Sequence, residues 1–514
     1  MVNAIVGFSH WNCKQLEASL LPSKSPCALR IAIYVYQFFK FCLFVPLASI
    51  TWAISFVATA VVGKKPEDSP LVEFAKRPRW NPEPADIPTK RNGEPINIGF
   101  ATSDIQDSGP DQPQFAETNW GRFYQAHREE GGSLDILPDT LNHPEKVIAE
   151  CQRLHIHHWR TSISLMPKKG QGVNDLDLER YCGFFMRLEQ EGIHVMVTLN
   201  HFVAPEDLDW TETESIDRFV DYAIKIAPSL HAAGIRQILT FNEIMVEVLQ
   251  GYLFGKFPPH HTFDLQGGCQ MVENMMKAHT QAYRALKALF PDFEIGLTHD
   301  PIRFRTYHKW NPFWTPQEKL FAHYLTEITH SAYMRLLLTG EFALKVPFLA
   351  NESFELPEYR EKATRPLDFI GGQYYTDPLV RFPQGSVTRN EEEALSVYGY
   401  RAYPQGLVSA LEELKSLEIP IDLTEVGIDR GINKEQQTDA ARIAYFEKVL
   451  QAAQVAINQG IDLRSIYWWT RDRSWEWHAQ MNVDFSWYDD DGNPRPVVEW
   501  LRKKLEPEAI INVG

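Results

Sequence analysis

Residues 236–243 read RQILTFNE, a short apolar run with strand character that ends on a carboxylate. Seven further runs share the form: INIGFA (96–101), HHWRTSIS (157–164), HVMVTLNHF (194–202), FEIGLTHD (293–300), LDFIGGQYY (367–375), PIDLTEVGI (420–428) and RSIYWWT (464–470). Helical patterns lie between most of them. Residues 178–191 carry an apolar face at Leu178, Tyr181, Phe185 and Leu188, and residues 407–417 form another. Such alternation implies an α/β protein with a parallel sheet and helices outside it, and eight repeats imply a closed (β/α)8 TIM barrel. An open doubly wound sheet is the alternative, weakened because no Gly-rich phosphate loop follows any strand.

The runs tend to end on polar or aromatic residues. Gln106 follows the first, Arg160 lies in the second, His201 near the end of the third, and Glu243 closes the fourth. Tyr375 ends the sixth, Glu425 lies in the seventh and Trp469 near the end of the eighth. In a barrel these ends gather at the face that carries catalysis. Retaining glycoside hydrolysis needs two carboxyl groups about 5 Å apart, one as acid then base, the other as nucleophile. They must differ in environment, the acid protonated and the nucleophile ionised. Glu243 fits the acid, because Leu239, Phe241, Ile244, Met245 and Val246 surround it with apolar groups that raise a carboxyl pKa. Glu425 fits the nucleophile, with Arg160 and Tyr375 as candidates to hold it ionised.

Composition narrows the field. Lys and Arg total 51 against 67 Asp and Glu, a net charge of -16, which argues against nucleic acid as a partner. The six cysteines form no C-x-x-C pair, so neither a disulfide framework nor a zinc site is expected, and reduced thiols are. His155, His157 and His158 cluster without an evident further metal ligand. No cofactor is expected. Trp210, Trp310 and Trp314 fall in loops, either lining an aglycone channel or capping the barrel.

Residues 41–62, FCLFVPLASITWAISFVATAVV, are free of charge. As a helix they would span about 33 Å, the thickness of a bilayer core. A cleaved signal peptide fits less well, since the run begins late and is long. The expected organisation is a membrane-anchor region at 1–65, a Pro-rich linker at 66–94 and a catalytic domain at 95–514. A single-pass anchor follows, on a side of the membrane that the flanking charges leave open.

The wording around both glutamates resembles glycoside hydrolase family 1, the β-glucosidase and β-galactosidase family, and the resemblance runs over about residues 96–505. Thr240-Phe241-Asn242-Glu243 is similar to its acid/base motif T-F-N-E-P, with Gly251-Tyr252 at the family's spacing; Leu423-Thr424-Glu425-Val426-Gly427 is similar to its nucleophile motif I-T-E-N-G. The resemblance implies roles for further residues. Gln106 and His201 would bind sugar hydroxyls and Asn242 the 2-hydroxyl; Arg160 and Tyr375 would support the nucleophile. Trp469 would floor the sugar ring, and Glu476-Trp477 would grip the distal hydroxyls.

The chain also departs from the pattern. Ile244 replaces the proline after the acid/base, Val426 the asparagine after the nucleophile, and Gln373 the asparagine of N-Y-Y. Phe202 and Tyr400 stand where tryptophans are usual, and Arg473-Ser474-Trp475 replaces D-N-F. The expected function is a membrane-anchored retaining β-glycosidase acting on a carbohydrate or glycolipid. Two alternatives stand beside it. One is a transglycosylating glycosyltransferase acting on glycolipids, since Thr470 to Trp477 is similar to membrane-bound relatives that remodel galactolipids. The other is a non-catalytic sugar-binding barrel.

Overall fold

The computed structural model describes residues 84–130, 132–308, 310–347, 349–381, 386–387, 402–430 and 439–506. The expected anchor at 1–65, with its apolar span, lies outside the described residues, as do residues 66–83 of the expected linker and Tyr400. Among the described residues no helix is long and apolar enough to cross a membrane.

All eight runs form strands: β1 (Asn97–Ala101), β2 (His158–Ser162), β3 (His194–Asn200), β4 (Gln237–Phe241), β5 (Glu294–Gly296, resumed after Leu297 as Thr298–His299), β6 (Ile370–Tyr374), β7 (Ile421–Val426) and β8 (Leu463–Trp469). They pair in parallel, each with the next, and β8 returns to β1 with Asn97 opposite Ser465. β5 closes the ring in two halves. Its first half pairs with β4 and its second with β6, and the carbonyl of Leu297 between them accepts the N–H of Gly371 at 3.0 Å. This is the (β/α)8 barrel that the alternation implies.

The helix at Asp175–Gln190 buries Leu178, Tyr181, Phe185 and Leu188, as its periodicity requires. It begins three residues before the apolar pattern does, because the Asn174 side chain accepts the N–H groups of Leu176 and Asp177 and caps the helix there. Val426, Trp468 and Phe446 belong to the core between barrel and helices, where Phe446 meets Trp487 at 4.9 Å between ring centres. Packing starts before the expected boundary at 95. The backbone N–H of Ala85 donates to Glu447 at 2.6 Å, Ala85 and Ile87 pack on the core, and Thr89 bridges Pro95. Long loops after β5 and β6 build a small sheet of Arg305–Thr306, Leu379–Arg381 and Ser386–Val387. Cys151, Cys182 and Cys269 are free and buried.

Candidate active site

Glu425 sits on β7 with its carboxyl almost wholly buried, and donors reach both of its oxygens. Arg160, on β2 and fully buried, donates Nη1 to Oε1; Gln373 donates Nε2 to the same oxygen at 2.9 Å; the Tyr375 hydroxyl donates to Oε2 at 2.6 Å. A cation and two neutral donors converging on one buried carboxyl form a donor set suited to the charged form. Gln373 comes into place through a register shift in β6 that sets it directly opposite Glu425.

Asn242 ties this group to the fourth strand. Its Oδ1 accepts from Arg160 Nη2 at 2.6 Å, Gln373 Nε2 at 2.8 Å and Thr298 Oγ1 at 3.0 Å, while its Nδ2 has no protein partner. Three donors on one oxygen fix the amide orientation and turn the Nδ2 donor elsewhere.

Glu243 is the next residue, held in the left-handed region at φ 39° and ψ 56° at the head of a short helix, Ile244–Glu247. A non-glycine residue pays about 1–3 kcal/mol for such a backbone, a strain that collects at functional sites. Thr298 Oγ1 accepts the Glu243 N–H at 2.8 Å and pins the turn. The carboxyl is buried, and its Oε1 has no protein partner. Burial pushes this carboxyl well above the usual range; the negative charges of Glu425 and Asp300 push it further, and Arg160 offsets part of the rise. Two glutamates of one kind thus sit in opposite surroundings, one clasped by donors and one starved of them.

The remaining expected residues form a wall on the side of β8, β1 and β3. Gln106 is fully buried, and neither end of its amide has a protein partner. His201 lies with Nε2 4.0 Å from Glu425, its Nδ1 unpartnered; burial, with Arg160 adding, holds it well below its ordinary pKa and hence neutral. Trp477 stacks on His201 at 5.7 Å between ring centres, and Trp469 lies 6.2 Å from the same ring. Trp469 Nε1 donates to Glu476 at 3.2 Å and Ser474 donates to the same oxygen. Burial raises the Glu476 carboxyl to about 7, against the hydrogen bonds from Ser474 and Trp469. All ten residues singled out in the sequence therefore come together at one end of the barrel. Buried, unpartnered amide and imidazole groups beside aromatic faces match a ligand with hydroxyls on its edge and C–H groups on its face.

The departures next to the two glutamates lie away from this pocket. Ile244 and Val426 both belong to the helix-facing core, and Ile244 occupies the first helical position, where proline is equally at home. Phe202 packs on Trp477 at 5.2 Å, and Arg473 pairs with Asp484 at 3.2 Å while donating to the carbonyl of Met481. Trp210 is buried against Phe219 and Phe241 in the core between barrel and helices, whereas Trp310 is exposed. Three contributors were not singled out from sequence: Gln373 as a ligand of Glu425, Thr298, and Asp300. Gln373 lies on β6 two residues before Tyr375, which follows the strand end directly, and that spacing of two was the available signal.

The model of glycosyl hydrolase family 1 matches residues 115–493. The chain is 26% identical over 427 residues to the 6-phospho-beta-galactosidase of Clostridium acetobutylicum, covering 74% of this chain and 88% of that protein. It is 24% identical over 409 residues to Beta-glucosidase A of Thermotoga maritima, with coverage of 74% and 88%. Among solved structures, the beta-glycosidase from Pyrococcus horikoshii shares the fold, with a TM-score of 0.68 at 21% identity over 82% of this chain and 95% of that one.

Proposed function

The chain belongs to glycosyl hydrolase family 1 and is a glycoside hydrolase, and from that premise we propose that it is a retaining β-glycosidase working by double displacement. In this reading Glu425 attacks the anomeric carbon and Glu243 gives its proton to the departing oxygen. The resulting ester at Glu425 is then opened by water, whose proton passes to the Glu243 carboxylate. The observation that carries the reading is the opposed environment of the two buried glutamates: donors on both oxygens of Glu425, and an unpartnered, strongly raised carboxyl at Glu243. Esterification of Glu425 removes one of the charges that raise Glu243, which eases the change from acid to base.

The relatives include proteins named for both phosphorylated and unphosphorylated sugars. The unphosphorylated class is favoured here by Glu476, a buried carboxyl at the distal end of the wall, where a phosphate would meet negative charge. The neighbouring cations are engaged, Arg473 by Asp484 and Arg471 by Asp472. A β-glucoside or β-galactoside with a free 6-hydroxyl suits the site. The uncharged run at 41–62 supports attachment to a membrane, and with it a glycolipid substrate.

The test is trapping with 2-deoxy-2-fluoro glucosides and galactosides, free and 6-phosphorylated, each with an activated leaving group, followed by peptide mapping. An unphosphorylated reagent should add its sugar to the peptide carrying Glu425. No label from any reagent, under conditions that label the Thermotoga maritima enzyme, would overturn the reading; labelling by the phosphorylated reagents alone would overturn the sugar class.

A further inference from the structure

Thr298 pins the turn of Glu243, and the strand segment that carries it is short. Thr298–His299 is two residues long and pairs with β6, whereas β4 pairs with the other half of β5, Glu294–Gly296. On the inner face Thr298 Oγ1 accepts the N–H of Glu243 at 2.8 Å and donates to Asn242 Oδ1 at 3.0 Å. Side chains alternate along a strand, so His299 points the other way, to the helix layer. There its Nε2 meets His330 Nδ1 at 2.8 Å, with the two rings 8° from parallel.

The chain of contacts runs on from His330. This histidine sits in a π-helical turn, Glu327–Ser331, a rare form of helix that is frequent at functional sites. Its Nε2 bonds Glu413 on the helix Gly406–Lys415, which follows β6. Arg303, after β5, donates Nη1 to the other Glu413 oxygen at 3.1 Å and Nη2 to Asp377, after β6, at 2.9 Å. Burial raises the Glu413 carboxyl, but the hydrogen bonds and charges of His330 and Arg303 outweigh it and hold the group below its ordinary range. A carboxylate only accepts, so His330 Nε2 is the donor to Glu413. In a neutral His330 ring, Nδ1 is then the acceptor and His299 Nε2 the donor. Burial, with His330 adding, holds His299 well below its ordinary pKa, hence neutral.

Packing alone does not call for this chain. His299 is 1% exposed and lies against Tyr333, 5.0 Å between ring centres, in a layer that is otherwise apolar. An apolar pair would fill the space without the cost of burying polar groups. A satisfied polar chain does what apolar packing does less well: it specifies one orientation. We propose that His330 and Glu413 are positioning residues for the general acid. Anchored at Glu413, the chain fixes His299, and with it the backbone from which Thr298 holds Glu243 against the departing oxygen. This rests on the catalytic reading above.

The test compares the full native chain with His330→Leu, Glu413→Ala and Glu413→Gln on two glycosides of the sugar that labels Glu425. The phenyl glycoside needs a proton on its departing oxygen, and the 2,4-dinitrophenyl glycoside does not. The readout is the ratio of kcat/KM, phenyl over dinitrophenyl, which a merely structural role would not move. In His330→Leu and Glu413→Ala the ratio should fall about tenfold, within the roughly hundredfold that a 1 Å misplacement can cost. Glu413→Gln keeps an acceptor for His330 and should keep most of the native ratio. The Glu413 side chain is 42% exposed, so the alanine variant decides the matter if His330→Leu fails to fold. An unchanged ratio in Glu413→Ala, or equal losses on both substrates, overturns the proposal. Glu243→Ala separates this failure from that of the catalytic reading. If it too loses equally on both substrates, the catalytic reading fails and the proposal with it; if it alone lowers the ratio, the proposal alone falls.

Discussion

Glu476 offers a quantitative test of how the sugar is held. Its carboxyl titrates at about 7, because burial outweighs the hydrogen bonds from Ser474 and Trp469. If sugar hydroxyls donate to it, they prefer the ionised form, and apparent affinity scales with the ionised fraction. That fraction is about 1% at pH 5 and about 90% at pH 8 for a group titrating near 7. Hydrogen bonds to a charged acceptor exceed neutral ones by roughly 1–1.5 kcal/mol each, so two hydroxyls give roughly 2–3 kcal/mol. Both routes lead to binding about 30- to 100-fold tighter at pH 8 than at pH 5. The assay is calorimetric titration with methyl 1-thio-β-glycosides of the sugar that labels Glu425, at half-unit steps of pH. Glu476→Gln should bind weakly and lose the dependence. A native Kd that stays within twofold across the range, or a glutamine variant with the native slope, would refute this reasoning.

Other consequences are measurable on the same material. Glu243→Ala should slow glycosides of poor leaving groups by about 10²- to 10⁴-fold, the usual worth of a general acid, and much less for dinitrophenyl glycosides, whose leaving group needs no proton; equal losses across leaving groups would contradict the role. Glu247, one turn beyond Glu243, is buried and pushed up to about 8 by burial alone. The folded chain therefore keeps a proton that the unfolded chain releases above about 4.5, and stability falls as pH rises from there to about 8. Glu247→Gln escapes this loss, and urea denaturation should find it more stable than native by about 3 kcal/mol at pH 7, with the gain vanishing near pH 4.5; a gain independent of pH would count against a neutral buried Glu247.

Much of the barrel was legible because each parallel strand is a contiguous run bounded by turns and helices. The glutamates were legible because motif and strand end coincided. Alternation along β7 also places Val426 on the opposite face from Glu425, so this departure from the family pattern bears on the core rather than the sugar. Contacts set by pairing across the ring were not legible. The division of β5 at Leu297 and the register shift that brings Gln373 to Glu425 depend on strands far apart in the chain. Asp300 looked like the tail of an ordinary run, since its weight comes from burial without a partner. The Pro-rich stretch read as linker, yet Ala85 and Ile87 find apolar partners on the barrel, a tertiary contact that local composition does not encode.

The central claim is that Glu425 and Glu243 divide the work of a retaining reaction, and one measurement addresses it most directly. Glu425→Ala, supplied with azide and an activated β-glycoside, should recover turnover lost without azide and yield the α-glycosyl azide, identified by its anomeric proton in NMR. A β-glycosyl azide, or an alanine variant that still hydrolyses glycosides at the native rate, would contradict the account.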